Sequence, residues 1–518
     1  MAQTPLVLTG RSLTHEGVVA IARGRRVAIA PRALRRAQRS KASLERLQER
    51  QAIYGVNTGF GPMASHIIPV QDLQALQLNL VRSHAAGAGE AVPKEWVRAA
   101  MVVRLNTLLL GYSGVSSALL MRLRDLLNKD VVPVVPEHGG VGASGDLIQL
   151  AHIALGLIGE GEVFYKGRRM SAQRALRAAR IAPYVLEAKE GLALINGTSY
   201  MTGVACLVLS DARATLSTAL RAGALALEAV HGFSDALSPA LHAARPHEGQ
   251  VRVAALLRAL TKGSKLMRSR AAFMRAHGPK SAVQALDHAA QDVYSLRCLP
   301  QIAGPVLESL WAAERTVGVE LNAATDNPLV TARGEFLHGG NFHGDAIAVA
   351  MDTLKIGLIK LSLLSERRLN FLLNSAVNRR FLPFLNLGVP GLTLGLQGLQ
   401  FTATSTAARN QSLGYQHSLH TIPSNADNQD VVSMGADAAH TALAVAQNSR
   451  IIVAIECIAL GQALAQSKEA KLLGAESRRF LRDIQKICPP VRADRPLWNA
   501  ISKTAAWIAA SSANRLKF

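Results

Sequence analysis

The chain has 518 residues, is 49% hydrophobic and carries a formal net charge of +22. That length and apolar content provide for two or three lobes with large buried cores and exclude a single small domain. Aromatic residues make up only 4%, and Ala and Leu dominate, which favours helices over sheets.

The first ten residues, MAQTPLVLTG, lack a basic stretch followed by an apolar one, so no secretory signal is expected. Much of the positive charge comes early, in RGRRVAIAPRALRRAQRSKASLERLQER (23–50). No aromatic residues interleave these arginines and no nucleic-acid-binding motif accompanies them. Arg35, Arg36, Arg39, Arg46 and Arg50 fit the outer face of a surface helix, and no nucleic-acid partner is expected.

Up to about residue 190 the pattern mixes short helices, turns and Gly-rich loops. Val131–Val135 and Glu162–Tyr165 read as brief strands, and Leu147–Ile158 as a helix. Beyond 190 long helical patterns take over. In 345–374, Ile347, Met351, Leu354, Leu358 and Leu361 alternate steps of four and three, a seam for long, nearly parallel helices. Segment 433–468 is apolar on more than one face, through Leu443, Ile451, Ile452, Ile455, Ile458 and Leu460. Arg450 and Glu456 interrupt it, and no unbroken apolar run approaches the ~20 residues that a bilayer requires. It reads as a helix enclosed by protein. The expected fold is mostly α: an N-terminal mixed, mainly helical domain (1–190), then a central long-helix bundle with C-terminal helices (191–518). The four cysteines, Cys206, Cys298, Cys457 and Cys488, show no paired spacing, which argues against disulfides and zinc and for a reducing, cytoplasmic setting.

Polar, Gly-rich pieces interrupt the helical blocks: YGVNTGFGPM (54–63), RSHAAGAGE (82–90), EHGGVGASGDL (137–147), LINGTS (194–199), QDVYSLRCLPQ (291–301), ATDNPL (324–329), HGGNFHG (338–344) and NADNQDVVSMG (425–435). Small and amide-bearing residues at helix ends suit a composite site. His84, His338 and His343 form no dependable metal-ligand spacing.

The stretch 137–147 is the barest. It has no Walker lysine. Gly140, Gly142 and Gly145 match the dinucleotide glycine spacing, but no acidic residue after a second strand follows. It is not the Gly-x-Ser-x-Gly of a nucleophile elbow. Taken alone, Ser144 or Asp146 would simply cap the following helix. A fourth reading is chemistry on the backbone itself. If the Gly145 nitrogen attacks the Ala143 carbonyl and water is lost, including the Ser144 hydroxyl, an electrophilic alkene remains on a five-membered ring. Gly145 offers no side chain to hinder attack, Ala143 is small, and Ser144 supplies the leaving oxygen.

Ala143-Ser144-Gly145 within GGVGASGDLIQLAHIALGLIGEGEVFYKG resembles the hallmark of the aromatic amino acid ammonia-lyases and related aminomutases. The other pieces, from YGVNTGFGPM to NQDVVSMG, follow in that family's order over about 54–435. The resemblance implies a mostly helical homotetramer with sites shared between chains. It also implies a methylidene-imidazolone made by the chain from Ala143, Ser144 and Gly145, with no metal and no diffusible cofactor. Its implied catalytic residues are Tyr54, as base for the β-proton, and Tyr294. The implied carboxylate clamp is Arg297, whose planar fork suits bidentate pairing. Read without the resemblance, Arg297 would pair with an acid such as Asp292. Asn196 and Gln291 are implied to orient ring and carboxylate, with Asn327 joining them or merely holding its turn. Phe342 is implied to pack beside the electrophile, and Gly61 to leave room.

Two positions bear on the substrate. Ser83-His84 resembles the pair of histidine ammonia-lyases; phenylalanine enzymes usually carry Phe-Leu, and many tyrosine enzymes His-Leu. Asn428-Gln429-Asp430-Val431 resembles the phenylalanine and tyrosine enzymes, where histidine enzymes typically have a glutamate at the second of these positions. Without that carboxylate an imidazole loses a charge-assisted bond worth ~1.5–3 kcal/mol. A His84 ring nitrogen can instead bond a phenol. The expected activity is deamination of L-tyrosine to trans-p-coumarate. Histidine deamination is the alternative; phenylalanine deamination, an aminomutase and an inactive relative rank below it.

Overall fold

The computed structural model describes residues 4–278, 283, 286, 290–331, 333–510 and 516–518. It contains twenty α-helices among the described residues, with only short strands. This is the mostly helical fold expected. The chain forms two compact units: one of 1–210, 312–352 and 416–443, the other of 211–311, 353–415 and 444–518.

In the first unit, strands Leu6–Leu8 and Val27–Ile29 pair in parallel, with Leu6 opposite Val27. Strands Val132–Pro133, Glu162–Tyr165 and Arg168–Ser171 form a small antiparallel sheet. The tight turn between the last two falls on Lys166 and Gly167, both at positive φ (48° and 76°), as a two-residue hairpin requires. The first strand is shorter than the run Val131–Val135, and Pro133, which has no N–H for a ladder, is its last residue.

Helix Pro31–Gln48 carries the early arginines. Arg35, Arg39 and Arg46 are exposed, as is Arg50 just beyond its end. Arg36 departs from the expected outer face. It is half-buried, and its guanidinium donates to the carbonyls of Thr9 (2.7 Å) and Leu109 (2.5 Å). The stem thereby covers apolar surface while the head finds backbone acceptors.

Three helices frame the site of the first unit: Leu73–His84, Leu147–Ile158 and Glu190–Ile195, each packed against the other two. Leu147–Ile158 stops at Gly159, whose left-handed φ of 88° is the usual glycine C-cap.

The second unit is built from long helical segments. Its helices include parts of Ser199–Ala229, Asp345–Leu373 and Gly435–Ser467, together with Gln397–Ser412. Ile347, Met351, Leu354, Leu358 and Leu361 are all fully buried, so the four-three seam is the inward stripe of its helix. Inside the bundle Arg368 and Glu456, both 0% exposed, meet in a two-pronged ion pair with Nε–Oε1 at 2.5 Å and Nη2–Oε2 at 2.9 Å. Ser199–Ala229 and Gly435–Ser467 are long and apolar enough to cross a membrane. Their most apolar windows are, however, 94% and 72% buried within the protein.

Candidate active site

Glycine makes the loop before Leu147 possible. Gly139, Gly142 and Gly145 sit at φ of 128°, 73° and 72°, and Gly142 pairs across the turn with Gly145. A Cβ on Gly145 would stand 2.1 Å from the Gly197 carbonyl oxygen, and one on Gly142 2.1 Å from Ser433 Oγ. No side chain fits either position.

The segment 194–199 lies against this loop. Helix Glu190–Ile195 ends at Asn196, and Gly197 turns the chain at φ 137°. Ser144 O accepts from Gly197 N at 3.2 Å and from Asn196 Nδ2 at 3.4 Å, while Asp146 N donates to Gly197 O at 2.8 Å. Asn196 Oδ1 is buried with no hydrogen-bond partner among the described residues. Arg104, almost fully buried, fixes the end of the helix by donating to Ala193 O through Nε (2.8 Å) and Nη2 (2.5 Å). Burial lowers its pKa, against the pull of Asp326 and Asp146.

Asp146 does not cap its own helix. It precedes Leu147–Ile158, yet its side chain makes no bond to that helix's amides. Oδ2 instead accepts from Tyr200 N (2.7 Å) and Met201 N (3.1 Å), at the start of helix Ser199–Ala229. Ser144 is no cap either: its carbonyl is engaged by 196–197 and its hydroxyl faces Gln429. Burial pushes the Asp146 carboxyl up to about 7, although the two amides and Arg104 favour its charged form.

Gln429 reaches the loop, with Nε2 3.4 Å from Ser144 Oγ. Its own position is set by Ser424: the two backbones exchange hydrogen bonds, and Ser424 Oγ donates to Gln429 Oε1 at 3.1 Å. Asn428 is exposed. Ser433 Oγ donates to Gly142 O at 3.3 Å, and Met434 N to Val141 O at 3.1 Å, so 433–434 brace the same loop.

Tyr54 and Gly61 are also joined. The Gly61 N–H donates to the Tyr54 hydroxyl oxygen at 3.1 Å, a contact that strengthens as charge builds on that oxygen. Asn57 folds the intervening turn, accepting from Ile53 N at 2.6 Å and donating to Gln48 O and Gln51 O. A Cβ on Gly61 would lie 2.7 Å from Asn425 Nδ2, so the room beside Gly61 is filled by Asn425.

His84 ends helix Leu73–His84. Its Nδ1 lies 2.9 Å from Leu80 O, which can only accept, so that contact places a proton on Nδ1. Asn327 holds its turn, with Oδ1 accepting from Gly339 N at 2.8 Å. Next to it Asp326 pairs with Lys189 at 2.7 Å, both fully buried, and burial lowers the lysine's pKa despite that partner. Phe342 is half-buried.

Gln291, Tyr294 and Arg297 belong to the second unit. Gln291 is exposed. Tyr294 and Arg297 open and close the short helix Tyr294–Arg297, and the guanidinium carbon lies 4.7 Å from the tyrosine ring centre. Asp292 is not the partner of Arg297: its carboxylate accepts from Phe233 N (2.8 Å) and faces Arg268 (3.6 Å). Arg297 Nε is buried without a hydrogen-bond partner among the described residues. Among those residues no three His, Cys, Asp or Glu side chains converge as a metal-binding group.

Sequence reasoning gave Asp146 only as a possible cap and gave no role to Arg104, Lys189, Asp326, Asn425 or Ser433. A signal existed for two of them. Lys189 lies one helical turn before LINGTS and Asp326 inside ATDNPL, and a charge buried beside either motif demands a partner.

The chain matches the family described as aromatic amino acid lyase over residues 13–486. It is 42% identical to a histidine ammonia-lyase of Geobacillus kaustophilus, covering 88% of each chain. It is 40% identical to a tyrosine ammonia-lyase of Cupriavidus metallidurans, over 97% of this chain and 96% of the relative. Among solved structures, tyrosine aminomutase from Streptomyces globisporus superposes with a TM-score of 0.94 at 38% identity, over 98% and 97% of the two chains. The chain therefore belongs to the aromatic amino acid lyase family, and it is a carbon–nitrogen lyase.

Proposed function

We propose that this chain deaminates L-tyrosine to trans-p-coumarate and ammonia, using a methylidene-imidazolone formed from its own Ala143, Ser144 and Gly145. The residues present fit that group. Gly145 has no Cβ to block closure against Gly197, and Ser144 O already has two donors. Once formed, that ring would supply an electron-poor alkene for the substrate amine, the chemistry that turns an amine into a leaving group. Asn196 Nδ2 and Gly197 N, which already donate to Ser144 O, would stabilise charge on that oxygen. Tyr54 removes the β-proton, with the Gly61 amide supporting its oxygen. Arg297 receives the carboxylate through a guanidinium that no acid holds among the described residues. Tyr294 serves beside it, with Gln291, Asn327, Phe342 and Asn428 as further lining. The chain works as a cytoplasmic homotetramer, with 1–190 and 191–518 as its two functional segments.

The observation that carries tyrosine is Gln429 beside Ser144. A neutral amide there offers an imidazole no counter-charge, whereas the second ring nitrogen of His84 can hydrogen-bond a phenol hydroxyl. Histidine is the second reading, favoured by Ser83-His84 and by the histidine ammonia-lyase relative. Purified protein incubated in parallel with L-tyrosine, L-histidine and L-phenylalanine, followed by ultraviolet absorbance, decides between them. Coumarate formed well ahead of urocanate is the expected result; urocanate ahead of coumarate assigns histidine instead. Chromatography for a β-amino acid separates a lyase from an aminomutase.

A further inference from the structure

Helix Tyr294–Arg297 is four residues long, too short to hold its own shape in water. Helix Leu299–Glu320 holds its far end, and an anchor just before it sets its entry. The anchor is built around Phe233, a fully buried ring with two guanidinium carbons, those of Arg268 and Arg270, each 4.2 Å from its centre. The backbone around Phe233 is itself pinned to Arg268, through Arg268 N to Gly232 O (2.9 Å) and Ser234 N to Arg268 O (3.0 Å).

From this core two contacts reach the residues flanking Gln291. Arg270 donates to the carbonyl of Ala290 while also pairing with Asp235 at 2.6 Å. Asp292, its side chain 7% exposed, accepts from Phe233 N through Oδ2 at 2.8 Å and faces Arg268 through Oδ1 at 3.6 Å. The acid closest in sequence to Arg297 is thus engaged elsewhere. Had it turned towards Arg297, it would have neutralised the cation that the substrate needs.

We propose that Asp292, held by Arg268 and the Phe233 amide, is a positioning residue for substrate-carboxylate binding. It fixes the entry into the 294–297 helix and keeps the Arg297 guanidinium available. The proposal rests on the deaminase reading above and deepens it by naming what sets the carboxylate clamp.

The test compares two ligands of the full-length protein by titration calorimetry: p-coumarate, which has a carboxylate, and tyramine, which has the phenol and amine but none. In Asp292→Asn, p-coumarate affinity is expected to fall about tenfold, the order that displacing a charge-assisted contact produces, while tyramine binds as before. Asp292→Glu should recover part of the loss. If Asp292→Asn does not fold, Arg268→Lys, which alters the cation facing Asp292 and whose side chain is 29% exposed, is put through the same comparison. Equal losses for both ligands, or none for either, overturn the proposal. Tyrosine turnover by the unmodified protein is measured separately, so failure of the deaminase reading would be recognised as such.

Discussion

The Asn196 carboxamide has one end engaged and the other unpartnered among the described residues. Nδ2 donates to Ser144 O, and Oδ1 is buried. In the proposed mechanism that free end meets a partner arriving during reaction, and the donor end is one half of an anion-stabilising pair with Gly197 N. Asn196→Ala is expected to lower kcat by about a hundred- to a thousandfold with little change in melting temperature; steady-state kinetics read this directly. Asp146 makes a separate prediction. Its carboxyl is pushed up to about 7 by burial, so the folded chain keeps this proton while an unfolded chain releases it near pH ~4. Between those values the unfolded state gains by ionising and the folded state does not. Stability attributable to Asp146 therefore declines as pH rises from about 4 to about 7 and is level above that. Asp146→Asn removes the titration. Its melting temperature should gain on the wild type across that window, and parallel curves would contradict this assignment.

At the scale of elements, the long helices carry one buried charge pair that can be tested. Arg368 and Glu456 join helices Asp345–Leu373 and Gly435–Ser467 with no solvent access to either side chain. Removing one partner strands the other charge, so Glu456→Leu should lower unfolding free energy by about 3–5 kcal/mol in chemical denaturation, and the double variant Arg368→Met, Glu456→Leu should restore much of it. Elements like these were the most legible part of the sequence. Leu147–Ile158 and Glu162–Tyr165 coincide with their periodic patterns because apolar spacing and flanking glycines are local signals. The 345–374 seam was legible for the same reason. What Asp146, Arg36 and Asp292 do was not. Each is an ionisable side chain whose partners lie far along the chain: Tyr200 and Met201, Leu109, and Phe233 with Arg268. Such pairings are decided by tertiary burial, which periodicity does not encode. The site motifs were legible as types, since glycines and amides mark helix ends. That Asn425 fills the room beside Gly61 depends on the three left-handed residues Asn425, Ala426 and Asp427, which no pattern announces.

For the whole molecule, the net charge of +22 and two compact helical units form the frame, and the proposed chemistry depends on a change in covalent structure. Closing Ala143-Ser144-Gly145 into a ring removes two water molecules from the chain, and no ordinary side-chain contact does that. Intact mass spectrometry of the purified protein reads this loss without any assumption about substrate. The expected result is wild-type protein lighter than its sequence by two waters and Ser144→Ala at its full sequence mass, with no deamination. Active wild-type protein at its full sequence mass, or undiminished deamination by Ser144→Ala, would contradict the account.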